Sequence, residues 1–147
     1  MRNPFMQMAL EEAAAAAARG EVPVGAVLVS GAAVLARDGN RVLELRDPTA
    51  HAEIQVIRAG ATALSSERLT GCDLYVTLEP CPMCAQAVAL ARIRRLYYGA
   101  ADPKGGGVDN GPRIFAQATC HHAPEVYGGI GESEAARLLK DFFLARR

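Results

Sequence analysis

Apolar and polar positions along the chain follow a helical rhythm in some stretches and a strand-like rhythm in others. Residues 4–19 hold Phe5, Met6, Met8, Ala9, Leu10 and a six-alanine run ending at Ala18. Alanine is the best helix former and Gly20 is a stop signal, so a first helix is predicted here. Val24 to Val29 is a short β-branched run, Ser30-Gly31 marks a turn, and Ala32 to Ala36 is apolar again. That pattern predicts a hairpin, which the chain leaves at Asp38-Gly39-Asn40. Asp47-Pro48-Thr49 opens a second predicted helix, running through Ile54, Val56 and Ile57 to Gly60. Residues 61–73 read as a polar connection. Leu74 to Leu78 is a strand ended by Glu79-Pro80, Cys81 starts a helix that runs through Ala91, and Arg95 to Gly99 is another strand. Residues 102–122 are irregular, with one helical turn at 113–117, and Glu125 to Tyr127 is a short strand. A last helix carries Ala135, Leu138, Leu139, Phe142 and Phe143 on one face. Strands alternating with helices predict an α/β sandwich with some parallel strand pairs.

Composition narrows the picture. At 147 residues, half of them hydrophobic, the chain is expected to fold as one domain with a single buried core. Trp is absent and aromatics are few, so Ala, Val and Leu must fill that core. No apolar run approaches the roughly 20 residues of a membrane span. Met1-Arg2-Asn3-Pro4 lacks a secretory apolar segment, so a cytoplasmic location is expected. The formal net charge is zero, so no strongly basic surface announces a nucleic-acid partner. Arg92, Arg94 and Arg95 form a local basic cluster, read as either a solvated helix end or an RNA contact.

The candidate chemistry lies in two short stretches, His51-Ala52-Glu53 and Pro80-Cys81-Pro82-Met83-Cys84. They supply three metal ligands, His51, Cys81 and Cys84, and one carboxylate, Glu53. Structural zinc sites close all four positions with protein ligands, whereas catalytic sites use three and leave one for water. Cys81 and Cys84 are three apart at a helix start, where the helix dipole favours the thiolate. Glu53 is then the candidate proton carrier beside a zinc-bound water. The joint pattern is that of the zinc nucleobase deaminases, which hydrolyse an amino group from a ring carbon. Cys120-His121-His122 is a second cluster, read as solvated or phosphate-contacting ahead of metal-binding. Cys72 reads as a buried structural thiol.

Beyond the motifs, the chain resembles the tRNA-specific adenosine deaminase family. The likeness runs through Glu21 to Val29, Asp47 to Ile54, Tyr75 to Cys81 with Met83-Cys84, Gly99-Ala100 with Asp102, and Asp141-Phe142-Phe143 before Arg146-Arg147. It implies a cytidine-deaminase-like, three-layer α/β/α sandwich around a mixed five-stranded sheet. It also implies a homodimer that converts the wobble adenosine of a tRNA anticodon to inosine, with one zinc ion per chain. By the same likeness His51, Cys81 and Cys84 would bind zinc and Glu53 would shuttle protons. Asn40 would hydrogen-bond the flipped base, and Val22 and Ala52 would line its pocket. Asp102 would contact the nucleotide backbone beside the target. Phe142, Arg146 and Arg147 would touch the anticodon loop. Residues 105–111 depart from the family pattern in their glycine content. Two other readings remain: a deaminase of a free nucleobase or nucleoside, and a zinc-stabilised binding module without activity.

Overall fold

The computed structural model describes residues 2–146. Helix α1 spans Pro4–Ala18; the Asn3 side chain caps it by accepting from the backbone N–H groups of Phe5 and Met6, at 3.0 and 2.9 Å. Strands β1 (Gly25–Ser30) and β2 (Ala33–Gly39) form the predicted hairpin. A four-residue helix, α2 (Val42–Leu45), follows, then α3 (Ala52–Leu64), β3 (Cys72–Leu78), α4 (Pro82–Leu90) and β4 (Arg95–Ala100). A 3₁₀ turn at Ile114–Ala116, β5 (Glu125–Tyr127) and α5 (Glu132–Leu144) complete the chain.

The five strands make one mixed sheet in the order β2-β1-β3-β4-β5. β1 runs antiparallel to β2 and β3, while β3, β4 and β5 are parallel. Side chains alternate across the pleat. Ala26, Leu28, Leu74 and Val76 join the core under α3 and α4; Val27, Val29 and Tyr75 join the core under α1 and α5. The architecture is therefore the expected three layers, with one core on each face of the sheet. The alanines of α1 have a packing role. A side-chain carbon at Gly25 would lie 2.0 Å from the Ala9 carbonyl oxygen, so helix and strand meet backbone to backbone. Among the described residues no helix is long and apolar enough to cross a membrane.

Three local expectations are corrected, and one short helix was not expected. The second predicted helix begins at Ala52, because the Asp47 carboxylate accepts from Thr49 N–H and Oγ1 and closes a turn instead of capping a helix. Gly60 does not stop that helix. It faces Leu28 across a gap where a side-chain carbon would lie 2.2 Å from Leu28 Cδ2, so the residue is a close-packing contact and α3 continues to Leu64. Strand β3 starts at Cys72, two residues before the apolar run, because its edge residues pair with β1. Helix α2 gave no signal of its own.

Candidate active site

Two helix starts and the ends of the parallel strands define the site. β3 delivers the chain to Cys81, which is the N-cap of α4, and His51 is the N-cap of α3. Neither side chain makes the usual capping hydrogen bond, and both face the space between the two N-termini. One turn inside, Cys84 is buried and Glu53 is only 4% exposed.

His51 Nδ1 lies 3.6 Å from Cys81 Sγ and 3.4 Å from Cys84 Sγ. Their ligand atoms all lie within 4.8 Å of one another, and this is the metal-capable group among the described residues. Tetrahedral zinc, with Zn–S about 2.3 Å and Zn–N about 2.0–2.1 Å, would set sulfur and nitrogen about 3.6 Å apart. Both sulfur–nitrogen distances therefore fit a zinc ion. The second cluster does not converge: Cys120 Sγ donates to the His122 carbonyl at 3.1 Å, and His122 Nε2 lies 2.7 Å from the Ile93 carbonyl.

Among the protein groups themselves, the ligands share protons. The hydrogen bond with Cys81 raises the His51 imidazole above its ordinary value against the effect of burial. Cys81 is drawn down to about 4, first by the hydrogen bond from Cys84 and then, against burial, by His51. Cys84 moves the other way because it donates to Cys81 and is buried. Burial pushes the Glu53 carboxyl up to about 7, the Cys81 thiolate adds to that shift, and its own backbone N–H and the His51 charge oppose it. A carboxyl near neutrality can both take and return a proton.

Above this floor opens a cavity of about 580 Å³. Asn40 and Val22 line one wall, and Asp102, Phe142 and Arg146 another. Asn40 Oδ1 accepts from the Ala52 N–H at 2.8 Å, which leaves its amide N–H₂ as the donor for a ligand. Ala52 itself lies behind the wall, fully buried. The Arg146 guanidinium stacks 3.4 Å from the centre of the Phe142 ring. Arg147 lies outside the described residues. The basic cluster is remote from this mouth: Arg94 forks onto Asp73 at 3.0 and 2.9 Å and Arg95 pairs with Glu125, at the opposite ends of the strands.

A family model of the MafB19-like deaminases matches residues 2–147. A curated tRNA-specific adenosine deaminase of Agrobacterium fabrum is 62% identical over 146 residues, covering 99% of this chain and 96% of its own. The chain belongs to the tRNA-specific adenosine deaminases. A Bacillus subtilis member is 45% identical, covering 95% of this chain and 86% of its own. A solved structure from work on A-to-I editing by tRNA:A34 deaminases at the wobble position superposes with a TM-score of 0.91 at 64% identity, covering 92% of this chain and 98% of its own.

Two buried carboxylates of this deaminase escaped the sequence reading. Glu79 accepts from the backbone N–H groups of Asp102, Val108, Asp109 and Asn110 and from Asn110 Nδ2. Burial raises its pKa, but these donors outweigh it and hold the carboxyl below its ordinary range. The glycine-rich loop is thereby explained. A side-chain carbon at Gly106 would lie 2.5 Å from Glu79 Oε2, and one at Gly107 2.6 Å from Pro82 Cα. Glu21 holds the other wall in the same way. Neither had a sequence signal, since their partners, backbone N–H groups and for Glu79 also the Asn110 amide, lie more than twenty residues away.

Proposed function

We propose that the chain is a one-domain, zinc-dependent hydrolase that converts the wobble adenosine of a tRNA anticodon to inosine. The observation that carries this reading is the convergence of His51, Cys81 and Cys84 beside the buried Glu53, on the floor of a cavity that Asn40 also lines. His51, Cys81 and Cys84 would hold the zinc ion, which when bound would supply a water acidified from a pKa of about 15.7 to near 7. Glu53 takes a proton from the attacking water and passes it to the purine ring. The C6 amino group leaves as ammonia and its place is taken by the water oxygen. Asn40 donates to the flipped base and Val22 lines its pocket, while Ala52 acts through the N–H that orients Asn40. Asp102 meets the nucleotide backbone beside the target, and Phe142 and Arg146 meet the anticodon loop. Reading splayed loop bases is the usual mode of sequence-specific RNA recognition. The family likeness further supports a cytoplasmic homodimer. The exposed Leu64 and Leu90, at the ends of α3 and α4, suit such a contact.

The zinc-loaded chain, offered an anticodon stem-loop bearing adenosine at the wobble position, free adenosine and free guanine, is expected to form inosine in the stem-loop. Turnover of the free compounds with none in the stem-loop would overturn the reading.

A further inference from the structure

The segment from Asn40 to Asp47, which includes the short helix α2, is anchored at several points. Arg41 N–H donates to the Ala50 carbonyl at 3.0 Å, and Asp47 N–H to the Val42 carbonyl at 3.1 Å. The Arg41 guanidinium bridges Asp38 and Glu44, and Arg19 donates to the Asn40 carbonyl. Beneath them lies Glu21, only 3% exposed. Its two oxygens accept from Leu43 N–H at 3.1 Å and Glu44 N–H at 3.0 Å. A buried carboxylate is costly unless such donors match it, and here the matching donors belong to α2.

The side chain this scaffold presents is apolar. Leu43 is 69% exposed and stands at the mouth of the cavity whose floor holds His51 and Glu53. It follows β2, whereas Asp102 follows β4 and Phe142 comes from the helix packed on β4. The sheet order β2-β1-β3-β4-β5 puts them to either side of the β3 end that leads to Cys81. An anchored backbone that lifts a leucine into water beside a binding cavity fits a partner with an apolar face. A phosphate would gain nothing from it, but the face of an unstacked base or a ribose would.

We propose that Leu43 packs against the nucleotide adjoining the flipped adenosine, and that Glu21 is the positioning residue that holds it there. This inference rests on the wobble-adenosine reading above. Leu43 thus forms the side of the cleft opposite Asp102, Phe142 and Arg146, and the substrate strand is gripped on both flanks of its target.

The test is steady-state kinetics of the zinc-loaded full chain on the anticodon stem-loop. Leu43→Ala is expected to raise KM about tenfold, the scale of a lost apolar contact of a few methylenes, with the smaller part of the effect in kcat. Leu43→Met is expected to restore most of it. Val34→Ala, an exposed apolar change on the outer strand, serves as the control with both constants unchanged. Glu21→Gln is expected to raise KM in the native background and to add much less in Leu43→Ala, since neighbours acting through one contact are not additive. An equal Glu21→Gln effect in both backgrounds would make Glu21 a structural residue alone and overturn its assigned role. A native KM in Leu43→Ala, with turnover by the unmodified chain, would overturn this inference and leave the wobble reading standing. Absence of stem-loop turnover by the unmodified chain would overturn both.

Discussion

Cys84 stands behind Cys81, out of contact with solvent, with its sulfur 3.4 Å from the His51 ring nitrogen. A thiol so placed has no packing reason to approach an imidazole and another thiol at once, whereas as a thiolate it completes a three-ligand set. Cys84→Ser should therefore lower bound zinc well below one ion per chain, measured by metal analysis of the purified protein. Retention of one ion per chain would mean that the metal sits elsewhere. His51, Glu53, Cys81 and Cys84 were legible in the sequence because each motif is short and local, and the ligand spacing fixes its own geometry. Glu21 and Glu79 were not. A buried carboxylate is recognisable only by its partners, and the partners of these two are mostly backbone N–H groups distant in the chain.

The loop after β4 is shaped by a single side chain on the strand end next to it. Glu79 gathers five donors from residues 102–110, and the glycines at 106 and 107 let the backbone come close enough to reach it. Glu79→Gln keeps the size but points an amide N–H₂ into an array of donors. A buried donor left without an acceptor costs about 1–3 kcal/mol, and bonds to a charged acceptor are the stronger ones. The expected loss is about 2–3 kcal/mol, seen as a fall of several degrees in Tm, together with a higher KM as Asp102 loses its fixed position. An unchanged Tm and KM would show that the loop is held by other contacts. The element boundaries that differed from expectation have similar causes. Asp47 and Thr49 closed a turn between themselves where a cap was expected, and Gly60 proved to be a contact with Leu28 instead of a helix end. Propensity describes what a residue favours alone, and tertiary partners overrode it at both places.

At the scale of the whole molecule, the alternation of strands and helices was legible, because each element carries its own period of apolar residues. The two cores on the two faces of the sheet follow directly from that period. Less legible was which strand ends meet, and with them the walls of the cavity. Asn40, Asp102 and Phe142 come from three separate segments, and the fold alone brings them to one mouth. The parallel pairing of β3 with β4 and the antiparallel pairing of β3 with β1 place the site where the chain leaves β3 for α4. There the starts of α3 and α4 meet, with the metal-capable group between them and Glu53 buried against it. The central claim is that this group holds zinc and that Glu53 moves the proton. Its most direct test is inosine formation in a wobble-adenosine stem-loop by Glu53→Ala, with zinc content and Tm measured on the same preparation. The expected result is one zinc per chain, a Tm close to that of the native protein, and a rate lower by at least about a hundredfold. A variant that keeps its zinc and fold and still forms inosine at the native rate would contradict it.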